Sequence, residues 1–298
     1  MTAGAPQTPI TSIIREAIET SPERRITLAR YMALALYHPE HGYYQQESRG
    51  PGRTGDFLTS PEASPYFGLT VARQLIEVWD RLGQPERWEI REYGAGTGVL
   101  AYDILAGIAH DAPEAVDGLT YRLVESNPFR RAEALAAMTE AGLGDRVLIN
   151  DSFDALPSFG GVLLGNEVAD AFPAHRLIVR HGTLQECFVA IDGDAFGWCE
   201  GERSAEVASL PEIEAIAAGL ADGSLLEVSP AASAWFASAA ALLEQGLALL
   251  IDYGYQAETL YAAHRLEGTL RTYRGQQVSD DPFVDPGHVD MTVHVDFS

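Results

Sequence analysis

The chain has 298 residues, 46% of them hydrophobic, and a formal net charge of −23. That length buries one large core plus a smaller unit, and the acidic balance excludes a nucleic-acid substrate or an anionic membrane, which need basic contacts, while suiting a cationic partner. All 20 basic residues are arginine, which removes Schiff-base enzymes, pyridoxal-phosphate enzymes and P-loop NTPases, each dependent on a lysine.

Residues 8–37 read as two short helices, the second from Ile26 to Leu34. His38 to Pro65 is rich in glycine, proline and polar residues and reads as a long loop, of the kind that usually carries function. Ser64-Pro65 is an N-cap followed by proline at the first helical position. Phe67, Val71, Leu75, Val78 and Leu82 follow at helical spacing, and Gly83 ends that helix.

From Trp88 onward strands and helices alternate. The predicted strands are Trp88–Tyr93, Leu119–Glu125, Arg146–Asn150, Gly161–Gly165 and Leu247–Asp252. The predicted helices are Val99–Ile108, Pro128–Ala141 behind an Asn127 cap, and Pro230–Gln245 between a Ser229 cap and a Gly246 stop. The rhythm predicts an α/β fold with a doubly wound, mostly parallel sheet. Residues 171–223 break it with three short β-runs joined by His181-Gly182 and Asp192-Gly193-Asp194 turns, a small β insertion. The expected division is therefore an N-terminal helical and loop extension over 1–87, a Rossmann-like core over 88–170, the insertion over 171–223, and the rest of the core over 224–298.

Cys187 and Cys199 are too few and too far apart for a C-x-x-C site, and the eight histidines show no ligand spacing, so no metal site is expected. A secretory signal peptide, an 18-residue apolar run and an Arg-rich, acid-poor leader are not evident, and the expectation is a cytoplasmic protein.

Glu92-Tyr93-Gly94-Ala95-Gly96-Thr97-Gly98 carries the most chemistry. A strand, a glycine turn and a helix together offer bare backbone N–H groups to a cofactor. The dinucleotide fingerprint G-x-G-x-x-G/A wants glycine or alanine where this chain has Val99, and the third glycine comes one residue early. Glu125 closes the next strand, where a carboxylate accepts from both hydroxyls of a ribose; NAD enzymes use the same device. An S-adenosylmethionine (SAM) site, a nicotinamide site and a purely structural turn all stand at this point, and the acid two places before Gly94 favours the first.

Three further segments carry a family resemblance: Gly55-Asp56-Phe57-Leu58-Thr59-Ser60-Pro61-Glu62 with Phe67-Gly68, Asn166-Glu167-Val168-Ala169-Asp170-Ala171-Phe172-Pro173, and Ile251-Asp252-Tyr253-Gly254-Tyr255. With Tyr37-His38-Pro39, Gly42-Tyr43-Tyr44 and the glycine turn, they resemble the MidA-like class I SAM-dependent methyltransferases from about residue 28 to the end. That family includes the mitochondrial arginine methyltransferase that assists assembly of respiratory complex I. The resemblance implies SAM as cofactor and a protein arginine as acceptor. It also implies that the chain, ending at Ser298, stops before the antiparallel strand that closes the family's sheet. A SAM-binding assembly factor with little catalysis, or a small-molecule O- or N-methyltransferase, are the alternative readings.

An arginine acceptor is always protonated in water, so carboxylates must orient it. Glu167 and Asp170 follow a strand directly and are three residues apart, where one turn presents both; they are read as substrate-side acids, the alternative being that Asn166 and Asp170 cap the next element. Asp252 is read either as a third pocket acid or as a satisfied turn acid. The cofactor candidates are Glu92, Gly94, Gly96, Gly98 and Glu125, with Asp151, Ser152 and Phe153 toward an adenine. By the resemblance, Asp56 and Thr59 of the long loop are added toward the methionine end.

Overall fold

The computed structural model describes residues 8–47, 59–210, 213–275 and 277–298. The chain divides into two compact units, one formed by Gln45–Val168 with Trp235–Ile251, the other by Met1–Tyr44, Ala169–Ala234 and Asp252–Ser298.

The first unit is built on a five-stranded sheet, in the order Leu243–Ile251, Phe159–Asn166, Trp88–Tyr93, Leu119–Val124 and Val147–Asn150. Every pairing is parallel, as the alternation of strands and helices predicts. In the register, Tyr93 pairs with both Val124 and Gly165, so the three central strands end level with one another. That edge, at the carboxyl ends of the strands, is where an open α/β sheet binds ligands. Helices Pro65–Arg81 and Val99–Asp111 supply Val71, Leu75, Val78, Leu100, Ile104 and Ile108 to a core that also takes Ile90, Val162 and Leu164 from the sheet.

Local chemistry sets the helix starts. Ser64 Oγ accepts from Tyr66 N–H ahead of Pro65, and Asn127 Oδ1 accepts from Phe129 and Arg130 N–H ahead of Pro128. The predicted helix Pro230–Gln245 instead ends at Ala240. Leu243 already pairs with Phe159, and parallel pairing overrides the helical preference of Leu-Glu-Gln. Gly246 is therefore a strand residue rather than a stop: a Cβ there would lie 1.7 Å from the Gly161 carbonyl oxygen, so only glycine permits that approach of the two strands.

The second unit centres on the long strand Thr183–Asp192. It pairs antiparallel with Arg25–Thr27, His175–Arg180 and Ala195–Gly201, and Leu225–Val228 joins through His175–Arg180. The predicted helix from Ile26 gives way to that first short strand; Thr27 becomes the cap of Leu28–Tyr37, its Oγ1 accepting from Arg30 N–H at 3.1 Å. Helix Pro9–Thr20 buries Ile10, Ile14 and Ile18 in this unit. Residues 252–298 do not extend the parallel sheet. They form a three-stranded antiparallel sheet of Gln277–Ser279, Arg271–Arg274 and Asp290–Thr292 and a short parallel pair, Gly254–Tyr255 with Val295–Asp296. Only Trp235–Ile251 of the expected 224–298 segment belongs to the parallel-sheet unit. Tyr31 Oη, from helix Leu28–Tyr37, donates to the Pro282 carbonyl at 2.6 Å and ties the N-terminal helices to this C-terminal stretch.

Candidate functional site

The glycine turn sits between strand Trp88–Tyr93 and helix Val99–Asp111, and all three glycines have positive φ. Their surroundings differ. A Cβ on Gly94 would meet Val168 Cγ2 at 3.0 Å, and one on Gly98 would meet Met138 Cε at 3.1 Å, so protein packs against both. A Cβ on Gly96, at φ +55°, would enter open space. Among the three, Gly96 is the one at which an added Cβ meets no described atom within 4 Å.

Gly96 N–H donates to Glu125 Oε2 at 2.8 Å, and Asn127 N–H donates to Glu125 Oε1 at 2.8 Å. The carboxylate is thereby fixed at the end of the neighbouring strand, with further lone pairs on both oxygens for a pair of hydroxyls. Gln45 Nε2 reaches Ser126 Oγ, and Asn127 Nδ2 reaches the Gln46 carbonyl, which lays residues 45–46 along the same strand end. The open space over Gly96 and the half-exposed Glu125 beside it fit a ribose-bearing cofactor. Replacing Glu125 by alanine is expected to weaken S-adenosylhomocysteine (SAH) binding about ten-fold or more, since one or two charge-assisted hydrogen bonds are lost. Calorimetry checks this, and an unchanged affinity would show that Glu125 holds only the turn.

Glu92 lies beneath this surface. It is 3% exposed, accepts from Tyr121 Oη at 2.7 Å, and so supports the turn from below. Burial pushes its carboxyl up to about 8; the Tyr121 hydrogen bond opposes the rise and the Glu125 charge adds to it. The folded protein holds this proton across a range where the unfolded chain has released it. The stabilisation is complete below the ordinary glutamate value and is lost as pH rises toward 8, by up to ~1.4 kcal/mol per pH unit. Glu92→Gln is expected to match wild type in melting temperature near pH 4.5 and exceed it near pH 8.5. Parallel pH curves for the two proteins would refute the buried proton.

Asp151 and Ser152 follow strand Val147–Asn150 and are exposed; Ser152 Oγ accepts from Asp154 N–H at 3.4 Å. Phe153 turns back and meets Tyr93 edge-on at 5.6 Å, and Tyr93 meets Trp235 in the same way. Thr59 is 9% exposed and its carbonyl accepts from Ala63 N–H. Asp56 lies outside the described residues.

Glu167 ends the Phe159–Asn166 strand with φ +50°, a conformation that costs a non-glycine residue about 1–3 kcal/mol and clusters at functional sites. Its N–H donates to the Ile251 carbonyl at 2.8 Å, and its Oε1 accepts from Ser60 N–H at 3.4 Å. No helical turn spans 167–170, and the next element is the strand His175–Arg180, so neither Asn166 nor Asp170 caps a helix. The chain passes between units here: Glu167 and Val168 belong to the parallel-sheet unit, Ala169 and Asp170 to the other.

In that second unit Asp252 binds the turn. Its Oδ2 accepts from Ala169 and Asp170 N–H at 2.8 and 3.3 Å, and its Oδ1 from Tyr253 N–H at 2.8 Å. Three backbone donors make Asp252 the residue that positions Asp170. Asp170 is 7% exposed and its carbonyl accepts from Val293 N–H. The same unit holds a residue the sequence reading did not select. Asp290, 1% exposed, accepts from Tyr44 Oη and from Met291 N–H. Burial first, then the charge of Asp290, raises the Tyr44 hydroxyl well above its ordinary value. The signal was an acid inside the β-run Val289-Asp290-Met291, where Val289 and Met291 are both buried.

A Ser204–His175–Glu186 trio also lies in this unit, with His175 and Glu186 buried and Ser204 half-buried, but it cannot relay a proton. Glu186 Oε1 at 2.7 Å and Ser204 Oγ at 3.5 Å approach the same ring nitrogen, Nδ1, whereas a relay needs one partner on each.

A parallel sheet with a glycine turn, an open backbone approach at its centre and a ribose-type carboxylate on the next strand defines a Rossmann-like nucleoside-cofactor unit of the class I methyltransferase kind. The chain belongs to the family described as "Putative S-adenosyl-L-methionine-dependent methyltransferase", whose model matches residues 70–298. A crystal structure of a superfamily member from Burkholderia thailandensis, bound to SAH, is 32% identical and superposes with a TM-score of 0.81 over 99% of this chain and 77% of that one. The protein arginine methyltransferase NDUFAF7 homolog, mitochondrial, of Drosophila melanogaster is 29% identical over 91% of this chain, and the human NDUFAF7 protein 28% over 98%. The chain spans 65% of the fly protein's length and 68% of the human one's. These relatives are mitochondrial proteins, which overturns the expectation of a cytoplasmic one.

Proposed function

We propose that this chain is a SAM-dependent protein arginine methyltransferase. The observation that carries the cofactor half is the backbone at Gly96, open to a ligand and tied through its N–H to Glu125. Gly94–Gly98 and Glu125 hold the ribose and the sulfur-bearing chain, with Asp151, Ser152 and Phe153 toward the adenine and Thr59 toward the methionine end. SAM supplies a methyl group already activated on a sulfonium, so the protein's task is alignment and management of the acceptor's proton.

The arginine acceptor rests on the relatives' activity and on Glu167, the acid that directly follows the fourth strand of the chain's β/α alternation. A guanidinium is always charged, and planar carboxylates match its fork of donors. Glu167, held in its strained conformation at the end of the Phe159–Asn166 strand, is the carboxylate for that cation. The net charge of −23 draws a basic protein segment toward the enzyme. The test is SAH formation from SAM with and without an arginine-bearing protein acceptor. Production that depends on the acceptor supports the proposal. SAM binding with no turnover for any acceptor would favour an assembly factor that acts by holding its partner.

A further inference from the structure

We propose that Glu62 is a cofactor-binding residue that accepts the α-ammonium at the methionyl end of SAM; the inference rests on the cofactor reading above. Glu62 lies on the short helix Ser60–Ala63, inside the parallel-sheet unit. Its Oε2 is buried and has no hydrogen-bond partner among the described residues. A buried acceptor without a donor is costly, and a desolvated carboxylate oxygen is best matched by a charged N–H donor.

The helix that carries it sits at the carboxyl edge of the parallel sheet. Ser60 N–H donates to Glu167 Oε1 at the end of strand Phe159–Asn166, on one side of the central strand Trp88–Tyr93. Glu125 lies on the other side, at the end of Leu119–Val124. A ligand whose ribose meets Glu125 and whose chain crosses Gly96 therefore carries its far end toward Ser60–Ala63. Arg130, in the first turn of helix Pro128–Glu140, lowers the Glu62 carboxyl by its charge, while burial, the larger effect, raises it. The guanidinium of Arg130 is engaged with Glu133 at 3.3 Å. A cation brought by the ligand supplies the missing donor. In SAM that cation with N–H donors is the α-ammonium; the sulfonium has none, and the ribose hydroxyls already have Glu125.

The test compares two ligands that share an adenosine and a thioether: SAH, which has the amino-acid end, and 5′-methylthioadenosine, which lacks it. Both are titrated calorimetrically into wild type, Glu62→Gln and Glu125→Gln. Glu62→Gln is expected to weaken SAH about ten-fold or more while leaving methylthioadenosine within about two-fold, because only a charge-assisted bond to the amino-acid end is lost. Glu125→Gln is expected to weaken both. Methylthioadenosine binding also reports that the Glu62→Gln protein is folded. The proposal is overturned if Glu62→Gln binds SAH like wild type, or if it weakens both ligands equally. If wild type binds neither ligand, the cofactor reading fails with it; normal wild-type SAH binding with no effect of Glu62→Gln overturns the Glu62 assignment alone.

Discussion

Gly96→Val is expected to remove measurable SAH binding, the largest effect of any single change in the parallel-sheet unit. Two costs combine. The backbone at Gly96 has φ +55°, which a β-branched residue adopts only at about 1–3 kcal/mol of strain. The new side chain also points where no described atom lies within 4 Å, the space the proposal gives to the cofactor's chain. Part of the first cost appears as a lower melting temperature; the second appears only in binding. Substitutions at the flanking glycines should behave in the opposite sense. Gly94→Ala pushes against Val168, and Gly98→Ala against Met138 and Ala134, so both lose stability first. Calorimetry and thermal melts on the three variants separate these effects. A Gly96→Val protein that binds SAH like wild type would show that the cofactor does not cross this turn.

Glu167→Gln is expected to bind SAM within about two-fold of wild type yet transfer methyl groups about ten- to a hundred-fold more slowly, the range for losing one hydrogen bond to a charged group. The change keeps shape and removes charge. The amide oxygen introduced by Glu167→Gln can still accept from Ser60 N–H. The loss should be larger for an arginine acceptor than for a neutral one, and rising salt should weaken acceptor binding, given the acidic surface. Mass spectrometry of the acceptor reads the rate. Unchanged transfer in this variant would make Glu167 part of the turn only.

What the sequence made legible was local chemistry. Strand Trp88–Tyr93 and the start of the helix at Val99 stand where the glycine turn puts them, because that turn has few backbone solutions. The caps at Ser64 and Asn127, each followed by proline, likewise state their own structure. Pairing over long separations was not legible. Leu243 joins Phe159 and Ile26 joins Val189, and each converts predicted helix into strand. Residues 252–298 read as more of the parallel core, but their short strands pair mainly with each other. In the candidate site, residue type predicted the acid at Glu125, whereas the use of each acid depends on partners far along the chain. Asp252 spends itself on the N–H groups of Ala169 and Asp170, Glu92 on Tyr121, and Asp290 on Tyr44. The left-handed backbone at Glu167 has no sequence signature at all, since glutamate carries no preference for it.

The account stands or falls on where the methyl group goes. Incubation with SAM bearing a deuterated methyl group and a panel of arginine-bearing protein and peptide acceptors, followed by fragmentation mass spectrometry, locates it to a side chain. The predicted result is the labelled methyl mass on an arginine, with SAH formed in equal amount and the label absent from the Gly96→Val reaction. Label on a hydroxyl, a thiol or a small molecule instead, with arginines unmodified, would contradict it.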